Sequence, residues 1–318
     1  MRIVFMGTPE FSVPALEQLI QSEHQVVAIY TQPDSPLGRG RASAPSPVKR
    51  AALKYGLEVH QPVRLRDPGE VERLVALKPN MIVVSAFGQL LPQSFLNIPP
   101  LGCLNIHPSL LPKYRGASPI AAAILAGDDK TGATIILMDA GLDTGPIVSQ
   151  IMVDIEPQDT AESLSKKLAR ASARLLAETI PLWAEQLLTP HPQDERSASY
   201  TKPLTKENGI IDWHLGATEI WRRVRAFYPW PGCYSWWKGK LLKLLEAIPL
   251  SNKKEDLIPG LVIALPSDHP AVVGVETGEG ILGLLRVQLE GKKALPAAEF
   301  LRGQSDFVGS ILDGETRI

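Results

Sequence analysis

The run Gly102-Cys103-Leu104-Asn105-Ile106-His107-Pro108-Ser109-Leu110-Leu111-Pro112 carries a side-chain amide and an imidazole on alternate residues. Asp143 follows in Met138-Asp139-Ala140-Gly141-Leu142-Asp143-Thr144-Gly145. A strand over Leu104–Ile106 would turn Leu104 and Ile106 to one face and Asn105 and His107 to the other, with Pro108 ending it. Asn105 can donate to an oxygen on which negative charge develops. His107 can polarise a carbonyl or handle protons near neutral pH. Asp143 can orient the imidazole or help take the proton shed by an attacking amine. Together the three suit direct acyl transfer onto an amine. No covalent nucleophile is required, and neither Cys103 nor Cys233 has a histidine placed to activate it. Taken singly, His107 reads better as a structural histidine, and Asp143 reads equally well as a turn residue in an Asp-x-Gly loop.

Such a site needs elements that hold it. Arg2–Met6, Val26–Tyr30, Met81–Ser85 and Leu104–Ile106 read as near-continuous apolar strands. Helical patterns occupy 13–22, 47–55, 69–77 and 117–126. That alternation predicts an α/β, doubly wound (Rossmann-like) domain, with ligands collecting at the carboxyl ends of the strands. Thr134–Asp139 and Ile147–Asp154 are expected to form a hairpin around the Asp143 loop, and a helix over Thr160–Leu188 to close the domain. After Asn208 the pattern changes to one helix (216–227) and short β-type runs near 233–237, 241–248, 260–265, 271–275 and 280–289. These suggest a small OB-like β-barrel. The expected division is therefore 1–189, a linker over 190–207, and 208–318.

Composition narrows the class. The chain has 318 residues, 44% hydrophobic and 21% charged, with a formal net charge of −1. No global field draws it to nucleic acid, so such affinity must come from local patches. No apolar run reaches the roughly 20 residues that span a bilayer, and the N-terminus reads as a buried strand rather than a secretion signal. A cytoplasmic protein without membrane association is expected. The two cysteines lack metal-ligand spacing, so no metal is expected. Gly7-Thr8-Pro9 ends the first strand without a G-x-G-x-x-G or Walker A sequence, which leaves nicotinamide and nucleotide cofactors unsupported.

Two stretches concentrate positive charge. Between Asp34 and Lys54 lie Arg39, Arg41, Lys49, Arg50 and Lys54 against one acid. Arg39 and Arg41 sit in the glycine-rich loop Leu37-Gly38-Arg39-Gly40-Arg41. Between Arg222 and Lys254 lie eight basic residues and one acid, interleaved with Trp221, Phe227, Tyr228, Trp230, Trp236 and Trp237. Basic residues mixed with aromatics suit a phosphate backbone and exposed bases. A core role for Trp221 and Phe227 is the better reading.

These motifs resemble the methionyl-tRNA formyltransferase family from end to end. Phe5-Met6-Gly7-Thr8-Pro9-Glu10-Phe11 is similar to its opening strand and turn. Gln32-Pro33-Asp34, Gly38-Arg39-Gly40-Arg41 and Pro45-Ser46-Pro47-Val48-Lys49 resemble its tRNA-contacting loop. Asn105-Ile106-His107, Ser109-Leu110-Leu111-Pro112 and Tyr114-Arg115-Gly116 resemble its active-site signature, with Gly141-Leu142-Asp143-Thr144-Gly145 as the acidic loop. Ile211-Asp212-Trp213 and Arg225-Ala226-Phe227-Tyr228-Pro229-Trp230-Pro231 resemble its carboxyl-terminal domain. The resemblance implies transfer of a formyl group from 10-formyltetrahydrofolate to the α-amine of initiator methionyl-tRNA. Asn105, His107 and Asp143 are then catalytic. The folate lies along Phe87, Gly88, Gln89 and Leu90 and along Ser109, Leu110, Leu111 and Pro112, with Asp139 near the pterin. Arg39, Arg41, Lys49, Lys206, Arg222 and Arg225 contact tRNA. No obligate protein partner is implied, and a monomer is expected. Two departures stand out: Ala42-Ser43-Ala44 after the arginine loop, and Lys202-Pro203-Leu204 after Tyr200-Thr201. Formyl transfer to a small amine and a non-enzymatic RNA-binding module are the competing readings.

Overall fold

The strands at the centre of the first unit form where β-branched and aliphatic residues run unbroken, so that both faces can be covered. The computed structural model describes residues 1–36, 43–251, 256–266 and 268–313. These residues fall into two compact units. One comprises Met1–Pro119, Asp129–Ile155 and Leu164–Lys202, and the other Ile120–Asp128, Glu156–Ser163 and Pro203–Ile318.

In the first unit, seven strands lie in the order Ile147–Asp154, Lys130–Leu137, Cys103–His107, Met81–Ser85, Arg2–Gly7, Gln25–Tyr30, Val59–His60. The five from Cys103–His107 to Val59–His60 are parallel, and the last two in sequence add antiparallel. Because the chain starts at Arg2–Gly7, goes one way to Val59–His60 and returns to Met81–Ser85, the order reverses between Arg2–Gly7 and Met81–Ser85. Crevices for ligands open at such a reversal.

Alternation divides the side chains between two cores. Ile3, Phe5, Met81, Val83, Leu104 and Ile106 pack with Leu175, Leu176 and Ile180 on one face. Val4, Met6, Ile82, Val84 and Cys103 pack with Phe87 and Phe95 on the other. Asn105 and His107 follow this rule and share the face of Cys103.

Most expected elements appear with shifted ends. The strand holding Asn105 and His107 runs Cys103–His107, and the first hairpin strand runs Lys130–Leu137 rather than Thr134–Asp139. Gly132 interrupts the apolar pattern there because a side chain would collide. A Cβ at Gly132 would lie 2.1 Å from the Ile151 carbonyl oxygen and 2.5 Å from Leu110. The long helix runs Ala161–Ala184. The stretch 190–202, expected as linker, runs along the first unit. His191 exchanges both backbone hydrogen bonds with Ile147, and Tyr200–Thr201 pairs in parallel with Arg115–Gly116.

In the second unit an antiparallel sheet has the order Cys233–Trp237, Lys240–Leu250, Ile281–Leu289, Val273–Glu276, Val262–Ala264. The expected run near 260–265 is thus a short strand, and the helix Ala217–Ala226 matches the predicted one to within a residue at each end. Residues 310–313 then join the two outer strands. Val262 and Gly260 bond with Ser310 and Leu312, while Trp236 and Asp313 exchange both backbone bonds. The sheet closes as a small barrel.

Candidate active site

Ser85 is registered against Gly7 on one side and Ile106 on the other, so the loops after these three strands leave one edge of the sheet. After His107 the chain turns back on itself. Ser109 Oγ donates to the Lys113 carbonyl at 2.6 Å. Thr134 Oγ1 donates to the Ser109 carbonyl at 2.6 Å and accepts from the Leu111 N–H at 3.1 Å, and Gln150 Nε2 donates to the Leu111 carbonyl at 2.9 Å. This brings the Tyr114 carbonyl to 2.9 Å from His107 Nε2.

Leu137 lies opposite Leu104, so the loop that follows it begins at the far end of the central strand and folds back. Asp143 sits in it with φ 56°, a conformation that costs a non-glycine residue energy unless its surroundings impose it. Its Oδ2 accepts from the Gly116 N–H at 2.8 Å and lies 3.5 Å from His107 Nδ1, and its Oδ1 accepts from Asn105 Nδ2 at 3.3 Å. The three residues singled out in the sequence thus converge within hydrogen-bonding reach.

Asn105 and His107 are 9% and 4% exposed. A carbonyl only accepts, so His107 Nε2 carries the hydrogen toward Tyr114. Burial pushes the imidazole below its ordinary pKa, outweighing the upward pull of the Asp143 carboxylate and the Tyr114 carbonyl. Near neutral pH the ring is uncharged, and its bare Nδ1 faces a carboxylate oxygen. Two acceptors thus face each other at 3.5 Å.

The other sequence-predicted residues divide by what their polar atoms already do. The Phe87 carbonyl accepts from Thr8 Oγ1 and Gln32 Nε2, at 2.9 and 3.1 Å. Gly88 has φ 89°, and Leu90 is 68% exposed. Gln89 spends its amide on the Leu65 N–H and the Pro62 carbonyl. Ser109 and Leu111 are buried, Leu110 and Pro112 half-buried. Asp139 Oδ1 accepts from the Gly141 N–H and Thr144 Oγ1, shaping the acidic loop.

Among the basic residues, Arg39 and Arg41 lie outside the described residues. Lys49 donates to Asp34 and Gln61, at 2.7 and 2.6 Å. That hydrogen bond holds the Asp34 carboxyl below its usual range. Lys206 is exposed, and Arg222 packs its guanidinium over Gly127. Arg225 is placed otherwise than a tRNA contact requires. It is buried, donates to the carbonyls of Asp159 and Glu156 at 2.8 and 2.9 Å, and stacks on Trp221. Its charge is spent inside the second unit.

The sequence marks Arg115 only as part of a motif, without a role, and does not mark Gln193. Arg115 is fully buried and gripped by Glu195, Gln193 and Tyr200. The Tyr-Arg-Gly motif pointed to Arg115. No local signal pointed to Gln193.

A Rossmann-like sheet with Asn105 and His107 on one strand and Asp143 on a loop folded back to them, followed by a small barrel, is matched by the formyl transferase class. The family models "Formyl transferase" and "Formyl transferase, C-terminal domain" match residues 1–180 and 203–305. Among curated proteins, the chain is 48% identical over 304 residues to the methionyl-tRNA formyltransferase of Roseiflexus sp., covering 95% of this chain and 92% of that one. It is 47% identical to that of Roseiflexus castenholzii, with 99% of each covered, and 47% identical to that of Dehalococcoides mccartyi, with 97% and 96% covered. The chain belongs to the methionyl-tRNA formyltransferase family of enzymes. Solved structures share the fold. HypX from Aquifex aeolicus in complex with tetrahydrofolic acid superposes with TM-score 0.65 at 21% identity, over 97% of this chain and 48% of that one. An N-formyltransferase from Helicobacter canadensis gives TM-score 0.64 at 19% identity, over 92% and 99%. No described helix is long and apolar enough to cross a membrane.

Proposed function

We propose that this protein transfers the formyl group of 10-formyltetrahydrofolate to the α-amine of initiator methionyl-tRNA. The observation that carries the acceptor is the 47% identity to a methionyl-tRNA formyltransferase over 99% of both chains. The observation that supports the chemistry is the convergence of Asn105, His107 and Asp143.

A folate fits the residues present. The loop Phe87–Leu90 follows the strand at the order reversal, offers backbone edges, and exposes Leu90 as an apolar wall. Leu142, 49% exposed, adds a second apolar side chain on the acidic loop. A flat heterocycle with a hydrogen-bonding rim suits such a mixture. We assign Phe87 to Leu90, Ser109 to Pro112 and Asp139 to holding it, largely through backbone and apolar surface. When bound, it supplies the activated formyl carbonyl.

The chain's own residues then do the rest. Asn105 uses one amide hydrogen on Asp143 and directs the other at the carbonyl oxygen, where charge grows as an amine attacks. The His107–Asp143 pair would take the amine's proton and pass it to the departing donor nitrogen as the formyl carbon–nitrogen bond breaks, leaving the pair as it began. Arg39, Arg41, Lys49, Lys206 and Arg222 form the proposed tRNA contacts, and residues after 208 the tRNA-binding part.

The test is incubation with 10-formyltetrahydrofolate and, separately, methionyl initiator tRNA, an amino-sugar nucleotide and glycinamide ribonucleotide. Formylation of the tRNA alone is expected. Formylation of a small amine instead would replace the acceptor, and no transfer to any amine would reject the reaction.

A further inference from the structure

The acidic loop has a placement problem. It leaves its strand opposite Leu104, yet Asp143 must meet His107, roughly 10 Å further along at 3.3 Å per residue. Asp143 also adopts a left-handed backbone that other residues must enforce. The Gly116 N–H holds the carboxylate, but something must hold the backbone.

That role falls to Gln193. Its Nε2 donates to the Asp143 carbonyl at 2.8 Å and to the Gly145 carbonyl at 2.7 Å, using both amide hydrogens. Its Oε1 accepts from Arg115 Nε at 3.1 Å and from Arg115 Nη2 at 2.9 Å. The amide therefore has one workable orientation. Flipped, it would set its NH2 against a guanidinium and its oxygen against two carbonyls. Arg115 is itself immobile: fully buried, it pairs with both oxygens of Glu195, at 3.0 and 2.7 Å, and with the Tyr200 hydroxyl at 2.8 Å. Bidentate charge-assisted pairs of this kind fix angle as well as distance. One dipeptide thus holds Asp143 from two sides, Gly116 through its own N–H and Arg115 through Gln193.

We infer that Gln193, clamped by Arg115, is a positioning residue that aims the Asp143 carboxylate at His107 and Asn105. Its hydrogen bonds go to the Asp143 and Gly145 backbone and to Arg115 rather than to the side chains of Asn105, His107 or Asp143. The inference rests on the formyl-transfer reading of Asn105, His107 and Asp143 and names what keeps them in register.

Three variants of the full chain test it. Gln193→Met keeps length and removes the donors, while Gln193→Glu keeps an acceptor for Arg115 but offers no hydrogen to either carbonyl. Gln193→Asn retains both donors a methylene short, and it decides the matter should the others fail to fold. The first measurement is the 15N shift of His107 Nδ1, assigned by its loss in His107→Ala, which reports what faces that nitrogen whether or not the protein turns over. It should move in all three variants, least in Gln193→Asn, while the other five histidines hold their shifts. The second is formyl transfer. Turnover should fall on the order of 10- to 100-fold, as for reacting groups displaced by about 1 Å, with the KM for 10-formyltetrahydrofolate near the wild-type value. A folded variant with an unmoved Nδ1 shift and turnover within about threefold of wild type overturns the inference, as does a rise in KM with kcat unchanged. If wild type transfers formyl to no amine but the Nδ1 shift still moves, the function is wrong and the positioning stands.

Discussion

Replacing Asp143 by asparagine separates charge from shape. Both carboxylate oxygens accept, one from Asn105 Nδ2 and the other from the Gly116 N–H, and the second also faces His107 Nδ1. An amide can satisfy only one of these donors. With its oxygen toward Asn105, its NH2 opposes the Gly116 N–H and donates to His107 Nδ1, occupying the site meant for the incoming proton. With its oxygen toward Gly116, its NH2 opposes that of Asn105. Either way one buried donor loses its acceptor, which costs about 1–3 kcal/mol of stability. The catalytic loss is expected to be larger, because the proposed proton-accepting pair is gone, and such groups contribute about 10²- to 10⁴-fold. Removing the carboxylate also removes the charge that lifts the His107 pKa, so the ring titrates still lower. Single-turnover formyl transfer across pH reads both effects. The rate should drop by that factor, and the acid limb should move to lower pH. A variant within about fivefold of wild type, with its acid limb unmoved, would refute Asp143 as proton acceptor and leave it a turn residue.

Asn105→Ala should lower kcat by about 10²- to 10³-fold, as expected for a single oxyanion donor, and leave tRNA affinity intact; a filter-binding assay beside the turnover assay checks both. Arg225→Ala should destabilise the second unit by about 1–3 kcal/mol, because the buried Asp159 carbonyl and the partly buried Glu156 carbonyl lose a charged donor. A melt unchanged from wild type, with tRNA binding lost, would return Arg225 to the recognition surface. Acid should destabilise the fold, since burial lowers the pKa values of His24, His60 and His107 below 6.5. The unfolded chain then binds more protons as pH falls through 6.5 toward the folded values, so unfolding free energy drops over that interval. Urea titrations that show flat stability from pH 7.5 to 5 would contradict this.

The central sheet was legible because its strands are apolar throughout, and a strand buried on both faces announces itself in composition. The reactive pair was legible for a related reason. Asn105 and His107 break the apolar run of Cys103–His107 at period 2, so their sharing a face follows from the pleat. Elements that relied on something other than side-chain pattern were harder to see. Gly132 hides the start of its strand, since its missing side chain makes room for Ile151 and Leu110. Val59–His60 is too short to show alternation. Arg225 reads as surface charge because its partners are backbone carbonyls, which carry no sequence signature. Gln193 meets Asp143 across fifty positions. Only the folded chain brings such partners together.

The closure of the barrel by residues 310–313 bears on how the protein is made. Strand Val262–Ala264 keeps an open edge until that segment docks, and Cys233–Trp237 keeps one that Ile210 and Ile211 cover at Tyr234 but not at Trp236. During synthesis the segment leaves the ribosome after every other strand of the barrel. For that interval the nascent chain presents one unpaired and one partly paired edge, which are templates for pairing with a neighbouring chain on the same message. Shortening the protein to remove 310–313 would make that interval permanent. Its cost would then appear as aggregation and lost yield, while the Asn105–His107–Asp143 cluster of the first unit kept every one of its own contacts.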